Sequence, residues 1–338
     1  MILWKPSFIK IHVNKSIRSN RSNPKLLFSH RWVLYSPKIY SVPIDYASIS
    51  VASSSFLSVV YEGAVPMNYP FESNKMYHHQ FLGSCNGLIC FKFHVIDWGA
   101  DYQRRREEET KYSVLNPLTR QFKEFTMQIV DRIGNGITYG FGYDSKIDDY
   151  KLVAILNNGD SSNIEVYKVR SNSQTSIRGT HKYWFYCGKR SCGVFLNGCL
   201  HWLGCTAPHA VPILCFDISN EIMLSIPLPE IIRPSIASPG EVHKSVGVLG
   251  DNICVVFWDS VRLNVWVMQE YRVKESWINL FTTSRVPSSN RMPSWKPLLC
   301  FDDGKILVDY EFEDLRILDP TTEAARLVGF HDIPMGDN

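Results

Sequence analysis

Apolar residues come in short bursts separated by polar corners. Within a burst they alternate with a period of two, the mark of half-buried strands rather than helices. The stretch "VLNPLTRQFKEF" at 114–125 shows the form: an apolar run, a polar corner, then a returning run. The form recurs. "YSVLNPLTRQFKEF" about Leu115, "IEVYKVRSNSQTS" about Val166, "ILCFDISNEIMLSIPLP" about Phe216, "NVWVMQEYRVKESW" about Val267 and "LRILDPTTEAARLV" about Leu318 align at intervals of 51, 50, 51 and 51 residues. Asn116-Pro117 and Asp319-Pro320 mark two of the corners, since proline presets φ for a turn and cannot sit mid-ladder.

A second phrase precedes most of these. Asn86-Gly87, Asn197-Gly198, Gly250-Asp251-Asn252 and Asp303-Gly304 each sit between apolar runs. Such pairs favour the positive φ of tight hairpins. Each repeat therefore supplies about four strands, an inner hairpin followed by an outer one. Four-stranded sheets at an interval near 50 residues predict the blades of a β-propeller. A β-sandwich would give many strands without the even spacing. A hairpin about Leu34, in "LLFSHRWVLYSPKIYSVP", adds a sixth unit, so six or seven blades are expected. The charged tract 96–113, "IDWGADYQRRREEETKYS", reads as a solvated loop between strands.

Composition agrees with a globular chain: 338 residues, 45% hydrophobic, 13% aromatic and 20% charged. The net charge of +3 is uneven. Residues 1–50 hold eight Lys or Arg and one acid, whereas the remainder holds 28 basic and 32 acidic residues. An acidic body is a poor phosphate binder, so no nucleic acid is expected. Nine cysteines occur without a CxxC motif, which favours buried thiols in an intracellular setting over a metal site or a disulfide framework. The start "MILWKPSFIK" is not a secretory signal, and no apolar run is long enough to span a bilayer.

The search for chemistry ends in turns. "GSCNG" is neither a nucleophile elbow nor a phosphate loop. "DSKIDDYK" (144–151) gathers three aspartates without the glycine and distant glutamate of a calcium loop, and reads as a surface turn. His78-His79 reads as a loop pair, His201 as a hydrogen-bonded strand residue, and "FDDGK" (301–305) as a hairpin corner. No catalytic, metal or cofactor residues are assigned. Trp202, Trp258, Trp266 and Trp277 fall in strand phrases and are expected to wedge between sheets. Trp295, framed by Arg291, Lys296 and two prolines in "RMPSWKPLL", reads as a loop aromatic. With Arg291 and Lys296 it forms the candidate partner-binding loop.

Together "GSCNGLICF", "VLNPLTRQFKEF", "GFGYDSKIDDYKLVAI", "IEVYKVRSNS", "GVFLNGCLHWLG", "ILCFDISNEIMLSIPLPE" and "VWVMQEYRVKESWINLF" resemble the F-box-associated, kelch-like domain of plant F-box proteins, the S-locus F-box group among them. "PSFIKIHVNKS" resembles the exit of an F-box whose preceding helices are missing. The family usually continues past the end of this chain with a strand that helps close the last blade. The resemblance implies residues 1–20 as an F-box remnant and 21–338 as an all-β, kelch-like propeller. It also implies a non-catalytic, substrate-recognition component of an SCF-type ubiquitin ligase, nuclear or cytoplasmic. Its loops would hold a protein target for ubiquitination, an S-RNase-like protein if the chain belongs to the S-locus branch. A SKP1-type adaptor and a cullin are the family's further partners. The truncated F-box opens an alternative, a stand-alone interaction propeller without adaptor binding.

Overall fold

The computed structural model describes residues 25–29, 39–43, 57–60, 65–67, 76–98, 105–107, 110–129, 136–158, 161–181, 183–185, 192–206, 212–228, 243–258, 262–284, 295–310 and 314–331. The F-box remnant read at residues 1–20 and Leu34 lie outside them. The described residues are all-β apart from a 3-10 turn at Lys274–Ser276. They divide into two compact units. The first holds residues 1–44, 62–200 and 217–222, the second 45–61, 201–216 and 223–338.

In the first unit, β1 (Lys25–Ser29) and β2 (Ile39–Pro43) form the expected antiparallel hairpin. β3 (Leu57–Val60) belongs to the second unit, and β4 (Val65–Met67) extends the hairpin along β2. β5 (Met76–Cys85), β6 (Leu88–Trp98), β7 (Arg105–Glu107), β8 (Lys111–Asn116) and β9 (Gln121–Phe125) follow. Their order is β5-β6-β8-β9, with β7 hydrogen-bonded to the far end of β6. β10 (Ile137–Asp144), β11 (Asp149–Asn158), β12 (Ser161–Lys168) and β13 (Ser173–His181) make a second antiparallel meander. β14 (Tyr183–Phe185) is followed by β15 (Cys192–Leu196), which runs parallel to β10 through Tyr139 and Gly140.

β16 (Cys199–Thr206), β17 (Ile213–Asp217) and β18 (Ile222–Ile226) carry the chain into the second unit. There β19 (His243–Leu249), β20 (Asn252–Trp258), β21 (Leu263–Met268) and β22 (Trp277–Thr283) form one antiparallel meander. β23 (Trp295–Cys300), β24 (Ile306–Tyr310), β25 (Asp314–Asp319) and β26 (Ala324–His331) form another. β3 then pairs in parallel with the outer strand β26, Leu57 to Val60 against Val328 to His331. An early segment of the chain thus supplies a fifth strand to the last sheet. The five aligned residues, Leu115, Val166, Phe216, Val267 and Leu318, fall on β8, β12, β17, β21 and β25, the third strand of each repeat.

Two readings change. His78-His79 is not a loop pair but part of β5, opposite His94 and Phe93 of β6. The tract 96–113 is not wholly loop. Ile96 to Trp98 prolong β6 and pair with Arg105 to Glu107, and Lys111 to Ser113 open β8.

Each unit has its own core. In the first, Tyr112, Phe125, Tyr139, Phe141, Tyr150 and Tyr167 fill the space between the first two meanders. Phe125 stacks on Tyr167 at 4.3 Å and 6°. Burying one such side chain contributes roughly 1.5–3 kcal/mol. In the second, Trp258, Val265, Phe281, Trp295 and Tyr310 do the same. Close approach of inner strands is allowed by glycine at several positions. A Cβ on Gly83, at φ +150°, would meet the backbone nitrogen of Phe141 at 3.1 Å, and one on Gly247 would meet the Pro297 ring at 2.4 Å.

Candidate protein-interaction surface

An antiparallel meander has two kinds of end. The turns after its first and third strands fall together, and the remaining connections fall at the opposite end. In the five repeats the first kind is short: Asn86-Gly87, 145–148, Asn197-Gly198, Gly250-Asp251 and 301–305 after the first strand, with 117–120, 169–172, 218–221, 269–276 and 320–323 after the third. Every residue of these turns is described, whereas each connection at the opposite end includes residues outside the described set. Asn86 and Asn197 take φ of 50°, and Gly87 and Gly198 take 76° and 75°, as Asn-Gly corners require.

The outer turns share a device that the sequence reading missed. Arg120, Asn172, Glu221, Arg272 and Glu323 all have φ between 49° and 68°, at the repeat interval, and none is glycine. The polar side chain at the head of the turn stabilises this. Asn116 accepts from the backbone N–H groups of Leu118 and Thr119 at 3.0 and 3.3 Å. Asp217 accepts from Ser219 and Asn220, and Asp319 from Thr321. In the second repeat Asp149 does this from the neighbouring strand, accepting from the N–H groups of Arg170 and Ser171 at 2.7 and 3.2 Å. "DSKIDDYK" is therefore a turn, as read, but Asp144 and Asp149 are buried within it.

The centre of that turn end is Lys151, on β11 and 2% exposed. Its ammonium donates to the Ile218 carbonyl at 2.8 Å and pairs with Asp144 at 2.9 Å and Glu221 at 2.8 Å. Asp144 also accepts from the Ser219 hydroxyl at 2.7 Å and the Lys146 N–H at 3.0 Å. Burial alone would push the Asp144 carboxyl up. Hydrogen bonds from Ser219, Lys151 and Lys146, and then the Lys151 charge, more than offset it and hold the carboxyl below its ordinary value. Burial likewise opposes the Lys151 charge, but Glu221 and Asp144 outweigh it and raise the ammonium. All three ammonium protons have partners, so the cluster is a structural pin with no free acid or base.

In the second unit His201, on β16 and 0% exposed, bonds through Nε2 to the Tyr271 hydroxyl at 2.7 Å. The Cys215 thiol lies 3.5 Å from that hydroxyl and receives the Arg272 guanidinium at 3.4 Å. His201 is thus the hydrogen-bonded strand residue it was read to be.

Asn86, Gly87, Asn116, Pro117, Asn197, Gly198, Gly304 and Pro320 stand at turns, with Gly304 at φ 81°. Trp202, Trp258 and Trp277 are buried on strands and Trp266 is partly exposed. The partner-binding loop is not assembled. Arg291 lies outside the described residues. Trp295 is the first residue of β23, 0% exposed, edge-on to Tyr310 at 4.5 Å. An enclosed indole offers a partner nothing to touch, so Trp295 is a core side chain. Lys296 follows it on the same strand, partly exposed. The prolines misled: Pro297 sits inside β23 at an irregularity in its register, where a strand tolerates proline.

Between β9 and the β12–β13 hairpin runs an open groove of about 680 Å³, lined by Lys111, Glu124, Gln128, Asn172 and Gln174 over Phe125 and Tyr167. Gln174 crosses it, pairing with both the N–H and the carbonyl of Gln128 at 2.9 and 2.8 Å. Among the described residues no cluster of three His, Cys, Asp or Glu is arranged to hold a metal, and no helix is long and apolar enough to cross a membrane. The described cysteines are free thiols, most of them buried.

The model of the F-box associated beta propeller domain matches residues 33–324. The chain belongs to that family. The F-box associated propeller here reaches from the β1–β2 hairpin to the first residue of β26. F-box protein CPR1 of Arabidopsis thaliana is 26% identical over 253 residues, 67% of this chain and 57% of that one. An F-box/kelch-repeat protein of the same plant is 26% identical over 210 residues, 61% of this chain and 53% of its own length. The chain thus spans little more than half the length of these relatives. Among solved structures, a puromycin-hydrolysing peptidase of Mycobacterium tuberculosis is 11% identical, with a TM-score of 0.44 over 92% of this chain and 44% of that one.

Proposed function

We propose that this F-box associated propeller is the target-binding part of an SCF-type ubiquitin ligase. The observation that carries the reading is the family match over residues 33–324. The relatives are themselves F-box proteins, and the short-turn ends spend their buried polar groups on structure. Target contact is assigned to the connections at the opposite ends of the sheets. The propeller performs no bond chemistry. It raises the local concentration of a target near a ubiquitin-charged enzyme recruited by a SKP1-type adaptor and a cullin. A nuclear or cytoplasmic location accords with free, buried thiols.

The test is affinity purification of the full chain from plant cells with the proteasome active or blocked. Recovery of the adaptor, with a bound protein that accumulates on blockade, is the expected result. A bound protein whose abundance never changes, with no adaptor present, replaces this reading with a stand-alone interaction module.

A further inference from the structure

The groove between β9 and the β12–β13 hairpin has one fixed wall. Gln174 accepts from the Gln128 N–H at 2.9 Å and donates to the Gln128 carbonyl and to Glu165, each at 2.8 Å. Ser176 donates to the same Glu165 oxygen at 2.6 Å, and the Tyr167 hydroxyl donates to the Asn172 side chain. Side chains held in this way give up little rotamer freedom when a ligand arrives. They also keep hydrogen-bonding capacity. The amide N–H groups of Asn172 and the lone pairs of the Ser176 hydroxyl have no partner among the described residues. Lys111, Thr126 and Gln128, all exposed, bring an ammonium, a hydroxyl and a second side-chain amide to the rest of the lining.

Two further features narrow the ligand. Gln174 takes both main-chain groups of Gln128, which interrupts the edge that an extended peptide would pair with. The aromatic floor is closed as well. Phe125 is stacked between Tyr112 at 5.7 Å and Tyr167 at 4.3 Å, and Phe125 and Tyr167 are 6% and 4% exposed. An apolar anchor therefore has no opening to fill. Charge selects nothing, since Lys111 and Glu124 in the lining have opposite signs. What remains is a row of uncharged donors and acceptors. A hydroxyl donates and accepts at once, so a run of hydroxyls matches such a row.

We propose that this groove is a binding site for a neutral oligosaccharide, held by hydrogen bonds to Lys111, Thr126, Gln128, Asn172 and Ser176. Its volume of about 680 Å³ falls within the roughly 300–1,000 Å³ of ligand clefts. Its polar lining sets it apart from the apolar clefts that take drug-like molecules. A sugar-bearing target would suit the ligase reading, but the binding itself does not depend on that reading.

The experiment is saturation-transfer NMR on the full purified chain, titrated with chitotriose, cellotriose and mannotriose, with the peptide Ser-Gly-Ser as control. At least one trisaccharide is expected to bind saturably with a Kd of about 1 mM or tighter, and the peptide is not. Thr126→Ala with Gln128→Ala removes two exposed side chains and leaves the Gln174 clamp, which holds main chain, in place. Asn172→Gly removes the amide while accepting the φ of 54° at that position. Each variant should weaken binding about tenfold, and the first should leave the unfolding midpoint unchanged. No saturable binding of any of the three sugars, equal binding of the peptide, or indifference to both variants overturns the proposal. Adaptor recovery in the purification above reads the ligase role separately, so either result can fail alone.

Discussion

Lys151 in the first unit and His201 in the second occupy the same place in successive repeats. Each is the third residue of the second strand, each is buried, and each reaches the outer turn of the following repeat, at Glu221 and at Tyr271. The chemistry differs. Lys151 gathers two carboxylates and a carbonyl around a full charge, whereas His201 meets a phenol hydroxyl. The repeat therefore conserves a geometric task, fastening one sheet to the next turn, and leaves the means open. What differs is the cost of failure. A buried charge that loses its partner is penalised far more than a hydrogen bond that loses one end.

The largest predicted effect follows from that asymmetry. Lys151→Met leaves Asp144, 1% exposed, without its counter-ion. The loss should be about 3–5 kcal/mol, read as a shift in the denaturant midpoint. Adding Asp144→Leu and Glu221→Gln should recover part of it, since removing all the charges removes the uncompensated one. A loss as small as that of a surface pair would mean that water reaches Asp144 and that the pin is not buried.

Tyr271→Phe makes the matching cut in the second unit. The hydroxyl between His201 and Cys215 is lost and the ring stays. The expected cost is about 1–2 kcal/mol by the same measurement. A cost equal to that of Lys151→Met would erase the distinction between the two pins.

The comparison also marks what the sequence makes legible. The strands were readable because each has a polar corner at its end, and the interval repeats at Leu115, Val166, Phe216, Val267 and Leu318. The pins were not. Three aspartates and two lysines within 144–151 look like a solvated corner, and Glu221 lies 70 residues away from Lys151. One signal was available: Lys151 and His201 are separated by the repeat interval, as are Glu221 and Tyr271. The positive-φ residues of the outer turns stayed hidden because side-chain caps at Asn116, Asp217 and Asp319 replace the glycine that would have announced them. Trp295 failed in the other direction, since two prolines read as loop where one of them sits in a strand.

A smaller, pH-dependent effect separates the pins further. The Asp144 carboxyl is held below its ordinary 3.8 in the folded chain. The stability it contributes is present above that value and is lost as pH falls through the folded value. The Lys151 ammonium is raised above 10.5, so its contribution is present below that and is lost as pH rises through the folded value. Stability in the wild type should therefore fall below about pH 4, and Asp144→Asn should flatten that limb while lowering stability at neutral pH. Tyr271→Phe should leave the acid limb as it was. An acid limb unchanged by Asp144→Asn would assign it to other carboxylates.

The smallest effects belong to pairs that lie on the surface of both units. Arg170 meets Asp148 at 3.2 Å in the first, with side chains 28% and 32% exposed. Lys305 meets Asp303 at 2.7 Å in the second, with side chains 28% and 35% exposed. Water screens both, and each side chain gives up rotamer freedom to hold its place. Arg170→Ala and Lys305→Ala should therefore each cost at most about 1 kcal/mol, despite distances close to those around Lys151. Salt distinguishes the classes. At high ionic strength the two surface losses should shrink toward zero, because the screening length falls to about 3 Å at 1 M, while the loss in Lys151→Met should stay nearly constant. If the Lys151 loss shrank with salt as the surface losses do, burial would not be what sets the ionic pin apart, and its difference from the His201 pin would reduce to the number of charges each one holds.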